Sequence, residues 1–187
     1  LVGMLGALAA GGAIIALGRL FAAHRDRVLA VRIGGNDLLQ TLGARRSAVR
    51  LVTVAMMRYG AKLASYRMLA ATLASLDDVQ WTLEIIGDGA ARRDVEAAFA
   101  RFGDRVSFAG TLSAEAIAER MRLGDLFVWP AIDEAIGIVF LEAQACGLPV
   151  VGASTPGVAA VVADGHTGLL APMGDAGAFG LATRRLV

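Results

Sequence analysis

The chain has 187 residues, 56% of them hydrophobic, and 18 Lys and Arg residues nearly cancel 17 Asp and Glu residues to leave a formal net charge of +1. That length and apolar content support one domain with a real core plus an additional segment, and they exclude a disordered chain. Without a Lys/Arg run there is no footprint for a nucleic acid; the one cysteine, Cys146, excludes an intramolecular disulfide and a cysteine-based zinc cluster, and two histidines, His24 and His166, are too few for a histidine-based metal site. In chain order, residues 1–18 carry no charge and contain five glycines, and Arg19, His24, Arg25, Asp26 and Arg27 follow closely. Eighteen apolar residues reach the lower limit of a membrane span, but so many Gly and Ala make a poor helix former. A signal peptide would place its basic residues before the apolar run rather than after it. Residues 1–50 therefore read as an apolar and linker segment; residues 1–18 fit a buried Ala/Gly-rich helix or the remnant of a missing N-terminal domain, with a membrane span as the alternative, and residues 28–50 read as a helical or linker region.

From residue 51 onward, short apolar runs alternate with amphipathic stretches. The runs 51–56 (LVTVAM), 82–87 (TLEIIG), 105–110 (RVSFAG), 126–130 (LFVWP), 149–153 (PVVGA) and 168–172 (GLLAP) have the composition of buried strands. Helices fit between them at 62–75, 90–101, 113–122, 138–146, 158–163 and 175–186. Ser113 with Glu115 close behind marks a helix start, and Gly147 followed by Pro149 marks a stop. Alternating βα units with continuous apolar strands predict an α/β domain, a Rossmann-like parallel sheet flanked by helices. Ligands of such sheets bind beyond the carboxyl ends of the strands, which directs attention to the loops at 57–62, 87–89, 110–112, 131–137 and 153–157.

The segment PAIDEAIGIVFLEAQACGLPVV (130–151) carries the most chemistry. A strand ends at Trp129-Pro130, an acidic loop follows with Asp133 and Glu134, Gly137 permits close backbone approach, and a helix then carries Glu142. The first amides of that helix lack intrahelical acceptors and, with the local dipole, suit a diphosphate. A carboxylate at Glu134 can accept from sugar hydroxyls, and one at Glu142 can take both hydroxyls of a ribose.

Here the sequence resembles the retaining glycosyltransferases of family four, which have the GT-B fold. The resemblance rests on an ordered set: Glu134, seven residues and Glu142; EAQACGLPVV; LEIIGDG with Gly87 and Gly89; VSFAGTL with Gly110; and DGHTGLLAP at 164–172. It covers about residues 51–187 and implies that this part is the nucleotide-sugar-binding half of a GT-B fold. It further implies that Glu134 contacts the transferred sugar and Glu142 the ribose. Backbone groups around Ile136, Gly137, Ile138 and Val139 would meet sugar and phosphate, and the base would rest near Gly87 and the Phe108–Gly110 stretch. Arg58 and Lys62 would neutralise the diphosphate without a bound metal. The implied reaction moves a hexose-like sugar from a nucleotide diphosphate to an acceptor hydroxyl with retention. Its partners are the donor and a glycan, glycolipid or small-molecule acceptor, with no cofactor and no nucleic acid. The expected location is the cytoplasm, with peripheral attachment to the inner membrane face as a variant.

The resemblance implies an N-terminal acceptor domain that residues 1–50 are too short to form, so the expectation for this fragment alone is donor binding without transfer. The motifs themselves depart from the family pattern in two places. Arg58 and Lys62 are four apart where the family has five, and the usual Gly-Gly with a Glu three residues on is here Thr155-Pro156-Gly157 with Ala160. Three rivals compete with the leading reading: a noncatalytic nucleotide-sugar-binding module, another GT-B enzyme such as a sugar-nucleotide epimerase or a phosphorylase, and a dinucleotide-dependent oxidoreductase. The last lacks G-x-G-x-x-G after the first strand. Ordinary readings cover the remaining residues: His166 as a turn residue, Cys146 as core packing, Arg92-Arg93 as a solvated helix face, and Asp88 as a partner of turn amides.

Overall fold

The computed structural model describes residues 48–187; the expectations for residues 1–47, the membrane span among them, lie outside the described residues. The described chain alternates strand and helix: β1 (Val49–Val54), α1 (Ala61–Ala74), β2 (Trp81–Ile86), α2 (Arg92–Phe99), β3 (Val106–Gly110), α3 (Ala114–Leu123), β4 (Leu126–Val128), α4 (Ile138–Ala145), β5 (Val150–Ala153), α5 (Pro156–Ala159), β6 (Gly168–Ala171) and α6 (Ala176–Leu186). The six strands form one parallel sheet in the order β3-β2-β1-β4-β5-β6. β1 and β2 pair over six residues, from Val49 with Trp81 to Val54 with Ile86, whereas β1 meets β4 through Leu51–Leu126 and Val52–Phe127.

All residues of β4 and β5 are buried, as expected for strands covered on both faces. Trp81, Trp129, Tyr66, Phe99, Phe127, Phe140 and Phe179 are the largest fully buried side chains. Helix α1 buries Leu63, Tyr66, Leu69 and Leu73 at helical spacing, and with them the polar Ser65 and Thr72. Ser113 and Asp175 cap α3 and α6 by accepting from the amides of Ala116 and Ala178.

Two helices differ from the sequence expectation by more than one residue at an end. The helix expected at 90–101 ends at Phe99 and tightens into a 3₁₀ segment, Ala100–Arg105, because Gly103 takes a left-handed φ of 54°. The helix expected at 158–163 starts earlier, at Pro156, because Thr155 caps it and proline is favoured at a first helical position. The strand ending at β4 is also shorter than expected, although the Trp129 amide still bonds Val151 at 3.0 Å.

Candidate active site at the switch of strand order

Strand order reverses between β1 and β4, so the chains leaving these two strands diverge to opposite sides and leave a crevice at their carboxyl ends. A cleft of about 310 Å³ occupies that position, lined by Val54 to Met56, Lys62 and Glu134 to Val139. Its two walls are the loops after β1 and β4, and buried polar groups of α1 hold both. The Tyr66 hydroxyl donates to the carbonyl of Ala55 at 2.7 Å, and the Ser65 hydroxyl accepts from the amide of Ile132 at 3.0 Å while donating to Ala61. Burial without a charge partner pushes the Tyr66 phenol well above its ordinary value, so it stays a neutral donor.

Lys62, in the first turn of α1, reaches across the crevice to form an ion pair with Glu134. Its ammonium also lies 5.5 Å from the ring centre of Trp129, which is itself packed edge-on against Tyr66. Both partners keep access to solvent, with side-chain exposures of 28% for Lys62 and 21% for Glu134, so the pair is open to a ligand. Glu134 is preceded by two residues with left-handed backbone, Ala131 (φ 54°) and Asp133 (φ 56°). Such conformations are unfavourable for non-glycine residues and concentrate where a loop must aim a side chain.

Beyond Glu134 the chain enters α4 through Gly137, whose φ of 69° is left-handed. No side chain caps α4 and its first turn holds no acidic residue; the same is true of α1, which Gly60 precedes. Among the described residues the amides of Ile138 and Val139 donate to no protein acceptor. The crevice is thus bordered by two uncapped helix N-termini, each with the positive end of its dipole, and by one lysine.

The structure therefore brings Lys62, Glu134, Ile136, Gly137, Ile138 and Val139 around one cleft. The other residues singled out from sequence lie off its lining. Arg58 is exposed in the loop after β1, its carbonyl accepting from the Leu63 amide. Glu142 is exposed in the second turn of α4; its carbonyl accepts from the Cys146 amide, and its carboxylate makes no hydrogen bond or ion pair among the described residues. Gly87 braces a cleft wall: a Cβ there would sit 2.0 Å from the Ala55 carbonyl oxygen, and one at Gly89 would sit 2.4 Å from that of Met57. The Gly87 amide bonds the carbonyl of Gly110, which carries the contact on to β3.

Phe108 is half-buried against Phe99 at 6.4 Å, with the Arg92 guanidinium 5.9 Å from its ring centre. The solvated face expected at Arg92-Arg93 is present: Arg93 is exposed, and Arg92, with a third of its side chain in solvent, bonds Asp88 at 2.9 Å and Glu96 at 2.7 Å. Asp88 also accepts from the Gly89 amide, and these bonds hold its carboxyl below the ordinary range, in keeping with the turn role read for it. His166 is exposed in a turn, its amide bonding Ala163, and partly buried Cys146 packs against the core, where burial raises its thiol above the usual value. Sequence reasoning missed Ser65, Tyr66, Trp129 and Thr155, which touch the site loops. A faint signal existed in the polar groups of Ser65 and Tyr66 on the apolar face of α1.

Residues 48–187 match the family described as Glycosyl transferases group 1. The chain belongs to this family. Among its curated relatives, a sulfoquinovosyl transferase of Arabidopsis thaliana is 34% identical over 114 residues, 59% of this chain and 22% of that protein. A D-inositol 3-phosphate glycosyltransferase of Geodermatophilus obscurus is 35% identical over 131 residues, 66% of this chain and 29% of that protein. The chain thus spans less than a third of the length of these relatives. Among solved structures, sucrose-phosphate synthase from Thermosynechococcus elongatus superposes with a TM-score of 0.66 at 29% identity, over 80% of this chain and 39% of that one. Anabaena HepE, solved in complex with UDP and glucose, shares the fold with a TM-score of 0.62 at 24% identity, over 80% of this chain and 41% of that one. The six-stranded Rossmann-like domain is one that GT-B glycosyltransferases contain.

Proposed function

We propose that residues 51–187 form the donor-binding half of a retaining glycosyltransferase of family four, taking a nucleotide-diphosphate sugar and delivering its sugar to an acceptor hydroxyl. The observation that carries this reading is the Lys62–Glu134 pair set across the crevice beside the uncapped start of α4. A diphosphate has the charge and size for that helix end, and Lys62 supplies the compensating cation. Glu134, in the adjacent wall, takes sugar hydroxyls once Lys62 turns to the diphosphate. As the glycosidic bond breaks, charge grows on the departing diphosphate. Fixed donors at Ile138, Val139 and Lys62 stabilise it more than they stabilise the ground state, with Arg58 swinging in from its exposed loop. Glu142, unpartnered on α4, is assigned to the ribose, and Gly87 with Phe108 and Gly110 to the base. In this account the positive charge comes from the protein and no metal or cofactor is required. The acceptor, a glycan, glycolipid or small molecule, is received by residues outside 51–187. Work at the cytoplasmic face of the inner membrane is consistent with such an acceptor.

Binding to the native state raises its stability by mass action. A panel of nucleoside diphosphates and nucleotide sugars is expected to raise the Tm, and Glu142→Ala to remove most of the shift. A Tm indifferent to every member of the panel would sink the proposal.

A further inference from the structure

The carboxylate of Glu134 faces Lys62, but the position of its backbone is settled from the other side. The Thr155 hydroxyl, buried at 4% exposure, donates to the Glu134 carbonyl at 3.0 Å and accepts from the Val158 amide at 3.3 Å. It thereby joins the loop after β4 to the turn after β5. The two segments touch backbone to backbone: a Cβ on Gly157 would lie 2.1 Å from the Ala135 carbonyl oxygen, and one on Gly137 would lie 3.3 Å from Cα of Val158. The Glu134 amide is spent within its own loop, on Ala131 at 3.2 Å. Among the described residues Thr155 is therefore the side chain that ties the Glu134 backbone to the rest of the fold, directly after the left-handed Ala131 and Asp133. Ala160, just past α5, has no polar side-chain group with which to add a brace.

We propose that Thr155 is a positioning residue for the sugar end of the donor site, acting through the backbone of Glu134. The inference rests on the donor-binding reading above. Thr155 sets where the Glu134 carboxylate stands, while the amides of Ile138 and Val139 that meet the diphosphate are fixed by α4 itself. Loss of the hydroxyl thus separates sugar recognition from diphosphate recognition. Thr155→Val keeps the shape and removes both hydrogen bonds; Thr155→Ser keeps the hydroxyl.

The test is isothermal titration of the wild-type chain and both variants with two matched pairs of probes, UDP with UDP-glucose and GDP with GDP-mannose. In the pair the wild type binds, Thr155→Val is expected to weaken the sugar nucleotide about tenfold, the scale of one misplaced charge-assisted hydrogen bond, and the bare diphosphate by less than about twofold. Thr155→Ser is expected to restore the wild-type ratio. Equal weakening of both probes, no weakening of either, or a serine variant that behaves like valine overturns the inference while leaving the donor-binding reading intact. Failure of the wild type to bind any of the four probes overturns that reading and the inference with it.

Discussion

At the scale of single residues, the site is shaped as much by what is missing as by what is present. Gly157 lies where backbone meets backbone, so Gly157→Ala must push the Ala135 carbonyl away from a Cβ built at 2.1 Å. Overpacking of this kind costs about 1–3 kcal/mol. Urea unfolding should show that loss as a lower midpoint at unchanged slope. A midpoint equal to wild type would mean that the α5 turn does not press on the Glu134 loop. Lys62 and Glu134 show a different economy. They are 72 residues apart in sequence and pair only because β1 and β4 are neighbours, so no local pattern announces their meeting.

At the scale of elements, capping and clamping explain which helices are fixed to the body and which are left open. Helix α6 is anchored to the turn after α1 by Arg184, which grips Asp78 with two hydrogen bonds of 2.7 and 2.8 Å and bonds the Ser75 carbonyl at 2.9 Å. The guanidinium holds the Asp78 carboxyl at about 2, below its ordinary 3.8. A carboxyl whose pKa is lower folded than unfolded stabilises the fold above its unfolded value and loses that contribution as the pH falls through its folded value. The stability gap between wild type and Arg184→Ala is therefore expected to be full near neutrality and to close as the pH drops from about 4 to about 2. Thermal melts across that range measure it. A gap that stays constant down to pH 2 contradicts the anchoring.

The same elements show what the sequence could reveal. Strands were legible because apolar runs such as LFV in β4 and VVGA in β5 are buried on both faces. The start of helix α3 was legible from Ser113 with Glu115, whereas the Asp175 cap of α6 emerges from the structure. Thr155-Pro156 was not read as a cap, since a hydroxyl before proline resembles an ordinary turn until its partners Glu134 and Val158 are known. The partners of Arg92 on its solvated face were not legible for the same reason: Asp88 belongs to the loop after β2, and Phe108 to the next strand.

At the scale of the whole molecule, the parallel order β3-β2-β1-β4-β5-β6 delivers the loops after every strand to one edge of the sheet and opens them between β1 and β4. Glycines Gly87, Gly89, Gly137 and Gly157 let neighbouring loops on that edge pack without side chains between them. The opposite edge, with Gln80 and Leu148 before β2 and β5, holds none of the proposed site. A second cleft, of about 280 Å³, lies between β6 and α6, lined by Asp164, Leu170, Leu181 and Arg185, and competes as a place for a ligand. Backbone amide NMR during titration with the nucleoside diphosphate that binds best distinguishes the two directly. The account predicts shifts at Ile136, Gly137, Ile138 and Val139 and at the loop after β1, with Gln80 and Leu148 unmoved. Shifts confined to Asp164, Leu170 and Leu181 would contradict it.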